Sequence, residues 1–191
     1  MRKVSLWLAA AAALAALQPD HSAMAMTPTS APAADSADRA AIEQVTANIV
    51  KGFVTRDLEL IMSAYADSED LIVIDLSPPL KYVGVTALRN LNQHWLDTFT
   101  GRVEGSYEDF RVTIVGDVAY GTNVQKWRFT RPDGTVFAFT TRLSDVYRKY
   151  AGKWRVIEEH GSIPVDLATL QPLLHEDKTV GLTSSGAHPH P

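Results

Sequence analysis

Apolar residues recur along this chain at two spacings, and the change from one to the other divides it into a helical half and a stranded half. From Asp38 onward, Ile42, Val45, Ile49 and Phe53 fall three or four residues apart. That spacing builds one apolar face and predicts a first helix, capped by Ser36 or Asp38. Arg56-Asp57 interrupts the pattern, and Asp57 is placed to cap a short second helix through Leu60, Ile61, Ala64 and Tyr65. Leu71-Ile72-Val73-Ile74-Asp75 is a β-branched apolar run that predicts a buried strand, closed by Ser77-Pro78-Pro79. Lys81-Tyr82-Val83-Gly84 reads as a short edge strand. Helical spacing returns at Leu88, Leu91, Trp95 and Phe99, a third helix ending before Gly101.

Beyond Arg102 the period shortens. Val103–Val115, Val118–Thr130, Thr135–Lys149 and Lys153–His160 read as strands. Gly116-Asp117, Pro132-Asp133-Gly134 and Ala151-Gly152 separate them, and each is a turn signal, so the four form an antiparallel meander. Residues 166–174 add a short helix. Helices gathered on one side of such a sheet define an α+β domain. The expected architecture is a cone-shaped, curved antiparallel sheet packed on three N-terminal helices. A concave, mostly apolar hollow of that kind suits a small molecule.

The two flanks lack this periodicity. Arg2 and Lys3 precede an apolar run from Val4 to Leu17, and Ala23-Met24-Ala25 has the form of a signal-peptidase site. A run of 14 residues falls short of the roughly 20 needed for a spanning helix, so a cleaved leader is favoured over a membrane anchor. Residues 1–25 are therefore read as a signal peptide and 26–37, rich in Ala, Pro, Ser and Thr, as a flexible linker. Residues 38–174 form the domain, and 175–191 a disordered polar tail. The expected location is periplasmic or secreted, with no stable membrane insertion after cleavage.

Composition narrows the chemistry. The chain has 46% hydrophobic and 21% charged residues and a net charge of −4. That balance suits one globular domain, and without a Lys/Arg stripe it gives no support for nucleic-acid binding. The absence of cysteine excludes disulfides, thiolate metal sites and cysteine nucleophiles. His94 reads as outward-facing, while His175, His188 and His190 fall in the tail. With no HExxH, P-loop, G-x-S-x-G or G-x-G-x-x-G motif, neither a metal nor another cofactor is implied.

Three segments carry a family resemblance across about Asp38 to Pro164. They are RDLELIMSAYADSEDLIVID, YVGVTALRNLNQHW and GKWRVIEEHGSIP. Together they resemble the SnoaL-like branch of the nuclear transport factor 2 and ketosteroid isomerase superfamily. The resemblance implies the fold already described, for a family whose members include isomerases, cyclases, dehydratases and binding modules. Asp75 falls where the isomerases carry their general base. The position of their oxyanion-binding Tyr is Ile49, and no acid stands near Thr140 to Arg142, where their oxyanion Asp belongs. Proton abstraction beside a carbonyl needs both a base and an enolate stabiliser. The usual second half is missing, which argues against authentic steroid isomerisation.

The candidate catalytic residues are Asp75, His160 and Arg142, each with a plainer alternative. Asp75 could serve as a desolvated base or cap the following turn. Arg142, on one strand face with Thr140 and Ser144, could hold a ligand carboxylate or enolate, or pair with Glu158 or Glu159. His160 could move a proton or fill the core. Tyr65, Trp95, Tyr120 and Ser162 are the candidate ligand contacts, with Tyr120 a candidate phenolic donor. Strand register decides much of this, because a shift of one residue exchanges Arg142 for Leu143 or Thr141. The leading function is an exported protein that binds an apolar or aromatic small molecule, with metal-free acid–base turnover of that ligand (isomerisation, cyclisation or dehydration) left open. The alternative is a noncatalytic dimerisation or carrier domain. Because neither face of Val118–Thr130 is strongly polar, a homodimer through that sheet is expected.

Overall fold

Helix α1 spans Pro32–Thr55 and buries the predicted face, with Ile42, Val45 and Ile49 in the core. It starts six residues before the expected Asp38. The added residues include alanines, which propagate a helix without contributing an apolar stripe. A proline in the first position loses only an N–H that has no intrahelical partner. Asp38 is therefore not a cap. It lies inside α1, where its Oδ1 accepts hydrogen bonds from Lys149 Nζ at 2.6 Å and Trp154 Nε1 at 3.0 Å. Both donors hold its carboxyl below the usual range. The computed structural model describes residues 32–174, so the readings made for residues 1–25 and 175–191 lie outside the described residues, as does the first part of the 26–37 linker, whose remainder, 32–37, is helical rather than a flexible linker.

Helix α2 is shorter than its apolar pattern implies, covering Leu58–Met62. Asp57 caps it as expected, its side chain accepting from Leu60 N at 2.9 Å. Asp57→Ala should cost about 1 kcal/mol, read as a drop of a few degrees in melting temperature. An unchanged melt would show that the cap carries no stability. Ala64 and Tyr65 leave the helix and join a ladder, with Val156 N donating to Ala64 O and Ala66 N to Val156 O, both at 2.9 Å.

Strands β1 (Ile72–Ile74) and β2 (Tyr82–Val83) and helix α3 (Val85–Thr98) follow in the predicted order. Four long strands complete the domain: β3 (Val103–Val115), β4 (Val118–Thr130), β5 (Val136–Tyr150) and β6 (Lys153–Ser162). They form the expected meander within a six-stranded curved sheet of order β2-β1-β6-β5-β4-β3. This is the α+β cone read from the sequence, with one departure: β1 pairs parallel to β6, placing Ile74 opposite His160.

The helix expected over 166–174 does not form. Asp166 Oδ1 takes the N–H groups of Ala168 and Thr169 in a tight turn. Leu170 then adopts a φ of 58°, outside the right-handed helical region. Val165 bridges to Pro172 instead.

The main core lies between α1, α3 and the concave face of the sheet. Ile42, Ile61, Leu71, Leu88, Trp154 and Val156 are almost wholly buried there. Each such side chain contributes on the order of 2 kcal/mol of hydrophobic stabilisation. A second, aromatic cluster around Trp127, Phe129, Phe139 and Phe99 fills the open end of the cone, and the candidate site lies where the two clusters meet.

Candidate functional site

A small interior hollow of about 80 Å³ opens between the two clusters. Five rings form its wall. Phe53 meets Trp127 edge-on at 5.4 Å, Trp127 stacks on Phe129 at 5.5 Å, and Phe129 stacks on Phe139 at 5.8 Å. Trp95 tilts against Phe129 at 5.5 Å. The polar lining consists of Tyr65, Asp75, Asn92, Gln125, Thr141 and Glu159, with no Lys, Arg or His. The hollow shares Asp75, Leu76, Trp95 and Gly161 with an outer cleft of about 1070 Å³. That cleft runs between the Ser77–Leu80 loop and the segment carrying Ile163, Pro172 and Leu174.

Of the residues singled out in the sequence, Tyr65, Trp95 and Asp75 line the hollow. Asp75 also makes the turn, its Oδ2 accepting from Ser77 Oγ at 2.5 Å and Ser77 N at 3.2 Å. Ile49 and Thr141 line the hollow too, so the places of the isomerase oxyanion residues are present but hold other side chains.

Arg142 is a correction. Along β5 the buried positions are Phe139, Thr141, Leu143, Asp145 and Tyr147, which leaves Arg142 and Ser144 exposed on the convex face. The proposed ion pair fails as well, because Arg142 stands opposite Val124 and Ser162 while Glu158 and Glu159 face Val146 and Asp145. Tyr120 is likewise misplaced: it lies on the convex face, 57% exposed.

His160 and Ser162 are displaced by a bulge. Trp154 and Val156 point into the core, and plain alternation would carry Glu158, His160 and Ser162 inward after them. The ladder slips instead, with Tyr147 opposite Val156 and Val146 opposite Glu158, so that Ile157 is an extra residue. Such a bulge exchanges the two faces of the strand beyond it. Glu159 and Gly161 therefore line the hollow, while His160 and Ser162 contact the outer cleft.

Glu159 is the functional group that strand alternation concealed. Tyr65 OH donates to its Oε2 at 2.8 Å. Asp145 stands directly opposite it across the β5–β6 ladder. Burial, with the charges of Asp145 and Asp75, pushes the Glu159 carboxyl up to about 8. Burial also pushes Asp145 up to about 7, although Tyr147 and Asn123 oppose this by donating to its Oδ2 at 2.8 and 3.2 Å. Burial, joined by Glu159, holds the Tyr65 phenol well above its usual range. The available signal was Asp145 itself, since an acid in the middle of an apolar strand opposes β propensity and implies a polar network around it.

The arrangement is chemically suited to moving a proton. A carboxyl that titrates near 8 can give and take a proton at neutral pH, and the phenol of Tyr65 fixes its orientation. Among the described residues, no three acids or histidines are disposed to hold a metal ion together.

No curated protein matches the chain. Among solved structures, a nuclear transport factor 2-like protein from Pseudomonas putida KT2440 superposes with a TM-score of 0.66 at 24% identity, covering 75% of this chain and 98% of that one. A nuclear transport factor 2-like superfamily protein from Salmonella enterica serovar Typhimurium LT2 gives 0.62 at 17% identity, covering 70% and 95%. A ketosteroid isomerase-like protein from Erwinia carotovora atroseptica gives 0.56 at 20% identity, covering 65% and 95%. These likenesses establish the fold. The family model of the SnoaL-like domain matches residues 42–166, most of the chain, and the chain therefore belongs to the SnoaL-like family.

Proposed function

We propose that the protein binds a small organic molecule with an apolar or aromatic body and moves a proton on it. The reaction would be an isomerisation, cyclisation or dehydration. The observation that carries this reading is the convergence of Glu159, Asp75 and Tyr65 on one ring-walled hollow. Glu159 gives and takes the proton, Asp75 is the second carboxyl, and Tyr65 orients Glu159. The reacting end of the ligand enters the hollow through the mouth beside Trp95. Its body occupies the outer cleft against Pro78, Pro79 and Phe137, within reach of His160 and Ser162.

The same proposal includes export and self-association. The basic, apolar and Ala-x-Ala order of residues 1–25 supports export. Val115 and Tyr120 are exposed on the convex face of β3 and β4, which supports a homodimer through that face and keeps a carrier role as the second reading.

Native mass spectrometry of protein recovered from a bacterial periplasm tests these points together. The expected species is a dimer beginning at Met26 and carrying a retained compound. That compound, returned to the protein in D₂O, should exchange a proton for deuterium at least about 100-fold slower with Glu159→Gln, the usual scale for loss of a general acid or base. Retention without catalysed exchange would favour the carrier reading. A monomer would remove the dimer, and a mass beginning at Met1 would remove the cleaved leader.

A further inference from the structure

Two carboxyl groups, Asp75 and Glu159, line the hollow, a third, Asp145, stands opposite Glu159 on the neighbouring strand, and the lining holds no basic side chain. Among the described residues, the charged or titratable groups facing Glu159 are acids and phenols. Tyr65 approaches from the turn after α2, Asp75 from the end of β1, and Asp145 and Tyr147 from β5. Helices α1 and α3 contribute only Ile49, Phe53, Leu88, Leu91, Asn92 and Trp95. Buried anions without a cationic partner are costly.

A second observation is independent of charge. Thr141 is 3% exposed and lines the hollow, yet its Oγ1 has no hydrogen-bond partner. Immediately behind it, Asn123 Oδ1 and Asp145 Oδ1 are also buried without donors. Buried polar atoms in native proteins are nearly all satisfied. All three oxygens can accept a hydrogen bond, and none of them has a partner within the protein.

Among the described residues no three acids or histidines are grouped to hold a metal ion. A cation of larger radius with several N–H groups would supply both charge and donors. The ring wall suits it as well, because the faces of Trp and Phe attract ammonium groups, and about 80 Å³ admits a head of a few non-hydrogen atoms.

We propose that the ligand is a protonated amine, its ammonium group lodged in the hollow between Glu159, Asp75 and the Thr141 hydroxyl and its carbon skeleton passing Trp95 into the outer cleft. The proposal rests on the hollow being the ligand site. In the empty hollow Glu159 keeps its proton, since burial holds its carboxyl near 8. An arriving ammonium supplies the missing charge, and Glu159 releases that proton to solvent. Affinity therefore rises with pH up to about 8.

Calorimetry with benzylamine, benzyl alcohol and toluene tests this between pH 6 and 8.5. Benzylamine should bind at least tenfold more tightly than benzyl alcohol at pH 8.5, and its advantage should shrink toward pH 6. In two buffers of different ionisation enthalpy at pH 7, close to one proton should be released per amine bound. Glu159→Gln should abolish the preference for the amine, read as the ratio of the benzylamine and benzyl alcohol affinities falling to near one. Thr141→Val, which keeps the side-chain shape, should weaken benzylamine about tenfold. It tests the same contact should Glu159→Gln fail to fold. Benzyl alcohol or toluene binding as tightly as benzylamine would overturn the ammonium proposal and leave the ligand site standing. Failure of all three probes to bind would overturn both.

Discussion

Glu159→Gln should raise the melting temperature of the ligand-free protein by roughly 10 °C at pH 8 and hardly at all at pH 4.5. In the unfolded chain the Glu159 carboxyl titrates near 4.5, and in the folded protein near 8. Below 4.5 it is protonated in both states and its contribution is intact. As pH rises from 4.5 to 8 the unfolded chain ionises while the folded one resists, so stability is lost across that window and the loss levels off above 8. A shift of this size corresponds to on the order of 4 kcal/mol. For a domain of this length, each kcal/mol moves the melting temperature by about 2–4 °C. A glutamine of the same shape never ionises, and its carbonyl can still accept from Tyr65 OH. Its amide N–H also offers a donor toward Asp145, whose Oδ1 has none. Thermal melts of both proteins from pH 4.5 to 9 provide the comparison. Parallel curves would mean that Glu159 is ionised inside the folded protein, and the proposed acid–base role would lose its basis.

Gly105→Ala should both destabilise the domain and close the hollow. Gly105 faces Trp127 across the β3–β4 ladder, and the indole lies flat over it. An added Cβ would overlap Trp127 Cζ3 and sit 2.8 Å from Cε3. The ring is held on its other sides, with Nε1 donating to Gln125 Oε1 at 3.1 Å and Phe53 and Phe129 packed against it. Its remaining direction is inward. Overpacking of this kind costs about 1–3 kcal/mol, and about 80 Å³ cannot absorb a displaced indole. We expect a lower melting temperature together with at least a tenfold loss of affinity for whatever the hollow binds. An unchanged affinity would place the ligand away from Trp127.

Much of this fold can be read from spacing and turn chemistry. The apolar face of α1, the Asp57 cap and the three turns between the long strands are local features, and local rules find them. Asp75, Tyr65 and Trp95 were legible because each sits where a short element delivers its side chain to the concave side. Arg142 was read as a ligand contact from its strand face with Thr140 and Ser144, which is the convex one, and His160 as a proton mover or a core residue. One extra residue at Ile157 reverses the strand beyond it, and no single side chain in that stretch announces the reversal. The parallel β1–β6 pairing was equally hidden, since it joins residues that sequence windows never compare. Asp166 misled for a related reason: a side chain that can cap a helix can also close a turn.

That parallel pairing has a consequence for how the protein comes into being. Tyr65 and Glu159 hydrogen-bond across 94 positions of sequence, and β1 can dock only once β6 exists. Such distant contacts close late, because the chain must first surrender the freedom of a long loop. Asp75 comes from the first half of the domain and Glu159 from its last strand. A chain cut short of β6, or still emerging with β6 unmade, would carry helices and hairpins but not the candidate site. The site is thus a checkpoint of completeness, and its appearance during refolding should coincide with the final folding step.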